Sequence, residues 1–165
     1  MTEKRSTGIA PLPQVLQALA DGPRVTVRRD GAPKADGACV VYWMQRAQRG
    51  LNNAAVDCAV NIANELGLPL IVYFSAIPNY PNANLRHYVF LNQGLPDIEA
   101  DLAERNISFL VRRPPNNSLD HFLEEVKAAI LIGDENPCRE PERWRQVIAK
   151  RIRIPFWTVD ADVTV

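Results

Sequence analysis

Arg46 and Arg49, three positions apart, stand in a polar stretch with Gln45, Gln48, Asn52 and Asn53 that follows the apolar run Val40–Met44. Planar guanidinium groups at that spacing can grip an anionic ligand by forked hydrogen bonds or stack on an aromatic one. A second polar stretch, Asp134-Glu135-Asn136-Pro137-Cys138-Arg139-Glu140, follows the apolar run Ile130–Gly133, and Asp160 and Asp162 follow Phe156–Val159. A plainer reading stays open beside the first. Arg46 and Arg49 can pair with Asp134, Glu135 or Glu140 and simply brace the loops. Asp134 and Glu135 are adjacent carboxylates, but an arginine nearby should keep them ionised rather than tuned as an acid/base couple.

Other chemistries drop out on the residues. No GxGxxG and no GxxxxGK[ST] follows the first apolar run, so no glycine turn lets a phosphate approach backbone amides there. No serine sits in a nucleophile elbow. His87 and His121 read as surface histidines. The basic run Arg143, Arg145, Lys150, Arg151 and Arg153 straddles a helix C-terminus, where cations complement the dipole, and reads as a solvated face. Cys39, Cys58 and Cys138 share no CxxC or Cys/His spacing and read as thiols in a reducing compartment, with no metal site. Nineteen basic and nineteen acidic residues cancel, so the chain as a whole lacks the cationic surface that grips nucleic acid.

The elements that position these residues are regular. Apolar runs at Cys39–Trp43, Leu70–Phe74, Ser108–Val111, Ile130–Gly133 and Phe156–Val159 predict strands covered on both faces. Between them lie helical patterns. Asn53 should cap one that carries Val56, Ala59, Val60, Ala63 and Leu66 and stops at Gly67. Ser118 should cap one with Leu119, Phe122, Leu123 and Val126, and Pro141 suits the first turn of another bearing Trp144, Val147, Ile148 and Ile152. The segment Asn84–Arg105 is helical by period, with a kink or break expected at Gly94 and Pro96.

Alternation of strand and helix gives an α/β domain: a five-stranded parallel, doubly wound, Rossmann-like sheet in three layers, with strand order 3-2-1-4-5. The loops after the first and fourth strands would then face each other across a crevice at the switch point. Residues 1–37, rich in charge and turn formers such as Pro11, read as a partly ordered extension with Val25 and Val27 as its buried contacts, and 38–165 as the domain. The 165 residues suit one domain. Met1 to Gly8 carries no apolar signal core, and no apolar run approaches the ~20 residues of a membrane span, which together point to a cytoplasmic protein.

Several stretches resemble the class II cyclobutane pyrimidine dimer DNA photolyases. They are Asp21-Gly22-Pro23-Arg24-Val25, Tyr42-Trp43-Met44-Gln45-Arg46-Ala47-Gln48-Arg49 with Asn52-Asn53, and Leu85-Arg86-His87-Tyr88-Val89-Phe90. To these are added Ile132-Gly133-Asp134-Glu135-Asn136-Pro137-Cys138-Arg139 with Trp144, and Val159-Asp160-Ala161. Asn52 departs from the pattern, standing where the family usually has aspartate.

The resemblance implies the N-terminal, antenna-type domain of a light-driven DNA repair lyase. A C-terminal helical domain, expected to be lacking here because the chain stops at Val165, would bind FAD and reach damaged DNA. By the same resemblance, Arg46, Arg49, Asn52, Asp134, Glu135, Asn136 and Arg139 belong to a cleft for an antenna chromophore or to the interdomain contact. That chromophore is an 8-hydroxy-5-deazaflavin, a methenyltetrahydrofolate or a flavin in different branches, and some members hold none. The chain alone is expected to be inactive and to hold no cofactor tightly, with self-association through a bare interdomain face. A free-standing nucleotide or small-ligand binder of the universal-stress or electron-transfer-flavoprotein type is the alternative, and a regulatory interaction module a third.

Overall fold

A computed structural model describes residues 12–162. The N-terminal stretch Met1–Gly8, the turn former Pro11 and the terminal Val165 lie outside the described residues. Helix α1 (Gln14–Ala20) and strand β1 (Val25–Arg29) come first, then β2 (Cys39–Met44), α2 (Ala54–Leu66), β3 (Leu70–Ser75), α3 (Leu85–Glu104) and β4 (Ser108–Arg112). Helix α4 (Leu119–Glu125), β5 (Ala128–Asp134), α5 (Arg139–Arg151) and β6 (Phe156–Val159) complete the order.

The sheet runs β1-β6-β5-β2-β3-β4. Its five strands from β2 to β6 are parallel and lie in the predicted order, with β2 at the centre between β3 and β5. Every residue of β2 and β5 is buried. That is why their sequences read as apolar runs, broken only by Asp134 at the end of β5: helices cover both faces. Alternate residues feed two cores. Tyr42, Met44, Val72 and Ile132 meet Leu16 of α1, Ile62 of α2 and Leu102 of α3 on one face. Val41, Trp43, Tyr73 and Leu131 meet Phe122 of α4 and Ile148 of α5 on the other.

A sixth strand extends the sheet beyond the five expected. β1 pairs antiparallel with β6, Val25 opposite Val159 and Thr26 opposite Thr158. It takes the edge beside β6 and runs against the five parallel strands. Its exposure pattern corrects one expectation. Val25 is half-buried, but Val27 is 39% exposed, because an edge strand has one covered face at most.

Helix α2 follows its signals. Asn53 accepts from the amides of Ala55 and Val56, and Gly67 ends the helix at φ 63°. The break expected in α3 does not occur; the helix continues through Gly94 and Pro96 to Glu104. Pro96 and Asn92 are exposed, a place where water can take the carbonyl that proline leaves without a donor. Ser118 precedes α4 but makes no side-chain cap, its Oγ donating to Asp120 instead. Pro141 occupies the first turn of α5, where a missing amide hydrogen has no intrahelical partner to lose. Among the described residues no helix is long and apolar enough to cross a membrane.

The loop after β2 touches α3 at Gly50. A β-carbon there would lie 2.4 Å from the Asp101 Cβ and 3.1 Å from the Leu102 amide nitrogen. Gly50→Ala should therefore destabilise the fold by about 1–3 kcal/mol through overpacking. Urea unfolding monitored by far-UV circular dichroism measures this, and an unchanged midpoint would show that α3 can withdraw at no cost.

Candidate functional site

The carboxyl ends of β2 and β5 are adjacent, with Trp43 opposite Gly133. One residue farther on, Asp134 is fully buried and turns its carboxylate into the loop that follows β2. Its Oδ2 accepts the backbone amides of Gln45 at 2.8 Å, Arg46 at 2.7 Å and Ala47 at 3.2 Å. Oδ1 accepts the Tyr42 hydroxyl at 2.6 Å. Burial raises the Asp134 pKa above its ordinary value, and these four hydrogen bonds oppose the rise without cancelling it. Tyr42 is pushed well above the usual tyrosine value by the same burial and by the carboxylate beside it.

Asn53 holds the other end of the loop. Its Nδ2 donates to the Ala47 carbonyl at 2.9 Å and the Arg49 carbonyl at 3.1 Å while its Oδ1 caps α2. The two loops expected to face each other across a crevice are thus bonded together. The switch point is filled.

The predicted residues separate accordingly. Arg46 and Arg49 send their side chains neither to Asp134 nor to Glu135 or Glu140 but to the segment after β6. Arg46 Nε lies 2.8 Å from Asp162 Oδ1, and Arg49 Nη2 donates to the Ala161 carbonyl at 2.8 Å. No arginine side chain bonds Asp134 among the described residues; the carboxylate meets hydroxyl and amide donors instead. Asn52 is exposed at φ 49°, its carbonyl accepting from Arg49 Nε at 3.0 Å. Glu135 pairs with Arg28 of β1 at 2.6 Å and accepts the Thr158 hydroxyl. Asn136 is buried; its Oδ1 accepts the Cys138 amide and its carbonyl accepts Arg145 Nη2 at 2.6 Å. Arg139 is exposed on the first turn of α5.

A cleft of about 920 Å³ opens beside the filled switch point, over the ends of β2 and β3 and between the first half of α3 and α5. Arg46 and Asn136 line it; Arg49, Asn52, Asp134, Glu135 and Arg139 do not. Its walls are largely apolar and aromatic, with Trp43, Met44, Phe74, Tyr80 and Trp144. Tyr80 meets Trp144 edge-on, ring centres 5.6 Å apart. Arg86, His87 and Arg143 join Arg46 on the lining, and among the described residues no aspartate or glutamate does.

Reading for chemistry-bearing spacing missed Gln45 as a cleft group and missed Trp43, Tyr80 and Trp144 as walls. They come from separate elements, so no local spacing could assemble them. Arg28 and Arg145 were missed as well. Arg145 is 1% exposed and pairs with Glu142 at 2.5 Å, inside a run that reads as solvated by charge alone.

Because the folded-state pKa of Asp134 lies above the ordinary 3.8, the stability linked to it is complete below 3.8 and is lost as pH rises through the raised value. Asp134→Asn cannot titrate there. The stability of the natural chain minus that of Asp134→Asn should fall as pH is raised from below 4 towards neutrality, by about 1.4 kcal/mol per unit of pKa displacement. Urea titrations at several pH values test this, and a flat difference contradicts it. Tyr42→Phe, which removes one donor from the buried carboxylate, should be destabilised by about 1–3 kcal/mol in the same measurement.

Comparison with known proteins bears on this architecture. The family model described as DNA photolyase matches residues 40–165. A deoxyribodipyrimidine photo-lyase of Methanothermobacter thermautotrophicus is 37% identical over 134 residues, covering 81% of this chain and 30% of that protein. One from Potorous tridactylus is 28% identical over 161 residues, covering 95% of this chain and 30% of that protein. The chain thus spans less than a third of the length of these curated relatives. A solved universal stress protein in complex with cAMP superposes with a TM-score of 0.47 at 21% identity, covering 77% of this chain and 100% of that one. With 126 consecutive residues matched by one family model, from the second residue of the central strand through its loop to the last strand, the chain belongs to the DNA photolyase family.

Proposed function

We propose that this chain is the antenna-type α/β domain of a deoxyribodipyrimidine photolyase. It holds a light-absorbing chromophore in the cleft and packs against a helical domain that binds FAD and contacts damaged DNA. One observation carries the reading: an aromatic-walled cleft at the carboxyl edge of the sheet, lined among the described residues by three arginines and a histidine with no carboxylate. Open α/β sheets bind ligands along this edge, and a volume of several hundred Å³ suits a tricyclic ring.

The candidate chromophores fit these residues. An 8-hydroxy-5-deazaflavin is a flat heterocycle with a polyol tail, and a methenyltetrahydrofolate and a flavin nucleotide are each a heterocycle with an anionic tail. Trp43, Phe74 and Trp144 offer apolar surface to the ring, and Arg46, Arg86 and Arg143 offer donors to the tail. Arg139, on the turn before Arg143, adds to that rim. Arg49, Asn52, Asp134 and Glu135 act one layer back by holding the loops. A bound antenna group would absorb light and pass the excitation energy onward. The protein's part is to orient the ring, exclude water from it and neutralise its tail.

Leu85, Val89 and Phe90 stand exposed on the first half of α3, two of them more than three quarters exposed. They give the helical domain an apolar surface beside the cleft mouth. Without that wall the chain binds its chromophore weakly and self-associates through the bare face. It splits no dimers by itself.

Titration of the chain with 8-hydroxy-5-deazaflavin, methenyltetrahydrofolate, FMN and AMP tests this reading through tryptophan fluorescence, since Trp43 and Trp144 line the cleft. Saturable quenching by at least one of the three chromophores is the expected outcome, and Arg86→Ala with Arg143→Ala should weaken it about tenfold or more. Saturation by AMP alone would favour the nucleotide-binder alternative. Blue-light assays with added FAD should show no repair of dimers by the chain; repair would remove the supporting role assigned to it.

A further inference from the structure

Helix α5 turns a side to solvent that carries cations and no carboxylate. Its exposed residues are Arg139, Arg143, Gln146, Val147, Lys150 and Arg151, and exposed Arg153 follows shortly after its end. Both glutamates of the helix are half-buried, and Glu142 is engaged by Arg28, Arg145 and Gln146. Arg145 is buried, and Arg151 lies 3.6 Å from Asp120. Arg139, Arg143, Lys150 and Arg153 make no salt bridge among the described residues.

Arg139, Arg143, Gln146 and Lys150 follow one another at the three- and four-residue steps that place side chains in one row along a helix. At the rise of an α-helix the row is about 16 Å long. The helix dipole accounts for only part of it. Lys150 and Arg151 stand in the last turn, where cations are stabilised, but Arg139 stands in the first, where they are not. Arg139 is also off the cleft lining. Neither helix stability nor the cleft explains the whole row.

We infer that this row, continued by Arg153, is a contact surface for the phosphate backbone of duplex DNA. Phosphates recur along a strand every few ångströms, and guanidinium and ammonium groups grip them without reading sequence. The row carries no aromatic side chain to stack on a base, so backbone contact is what it can make. Val147, the exposed apolar residue of α5, lines the cleft and gives the row no anchor for a lipid surface. Membership of the DNA photolyase family selects DNA among anionic polymers. Four contacts make a weak, auxiliary grip, and a local one, which whole-chain neutrality leaves open. The assignment is independent of what the cleft binds.

Fluorescence anisotropy of a short labelled, undamaged duplex, titrated with the chain between about 50 and 200 mM salt, tests this. Four contacts predict an affinity that falls about a hundredfold over that range, a slope of log K on log salt of about −3 to −4. Lys150→Gln combined with Arg153→Gln, both off the cleft lining, should lose only about tenfold, the slope being shallower by about 2. Arg139→Gln alone should make it shallower by about 1. Arg113→Gln, which removes an exposed cation after β4 at the far edge of the sheet, should leave the slope unchanged. Duplexes of different base sequence should bind equally. No binding at about 50 mM salt, an unchanged slope in the double variant, or an equal change in Arg113→Gln would overturn the inference. Displacement of the duplex by phosphatidylserine vesicles at equal phosphate concentration would assign the row to a membrane surface and overturn it as well.

Discussion

A single buried carboxylate organises the working edge of this domain. Removing a charge from water is costly, and the cost is tolerable only where the charge is thoroughly hydrogen-bonded. Asp134 meets that condition with one hydroxyl and three consecutive backbone amides. Those amides belong to the first residues after the central strand, so satisfying the carboxylate dictates the path of the loop. The loop in turn delivers Gln45 and Arg46 to the cleft and leaves Asn53 where it can cap α2. An aspartate on one strand thus sets the geometry of its neighbour's loop.

The same device recurs farther out. Glu135, next in sequence, is held by Arg28 from the edge strand β1, and Glu142 is shared between Arg28 and Arg145. Two cations and two carboxylates balance, with Arg145 buried and tied to the carbonyl of Asn136. The N-terminal strand is thereby connected to the wall of the cleft through four side chains. Arg46 and Arg49 in turn fasten the segment that leaves β6. Both outer strands of this half of the sheet are tied to the loops between them by arginines.

A net charge of zero conceals a local asymmetry that matters for recognition. Asp134 is turned inward and Glu135, Glu142 and Asp162 are paired, whereas Arg86 and Arg143 reach a cleft lining that holds no acid among the described residues. Whole-chain neutrality weighs against a broad nucleic-acid grip, but it says nothing of a single cleft, over whose short distances screening is incomplete.

Much of the fold was legible in the residues. Apolar runs without alternation marked the buried strands, Asn53 and Gly67 marked both ends of α2, and the strand order followed from right-handed crossovers. The edge strand β1 was not legible, because five residues of mixed character form a strand only when another strand offers its hydrogen bonds. Nor was the continuity of α3, where solvent exposure decides whether a proline interrupts. The candidate site was read in part. Arg46 and Asn136 line the cleft, and Asp134 proved to be the organiser beneath it. The partners of Arg46 and Arg49 were misjudged because pairing depends on distance between segments over a hundred residues apart. By itself, then, the sequence determined which segments become strands and helices and which family they belong to, since periodicity, caps and motif residues are local properties. Only the tertiary structure decided which charges face one another and which aromatic rings share a wall, because those relations arise where segments distant along the chain are packed together.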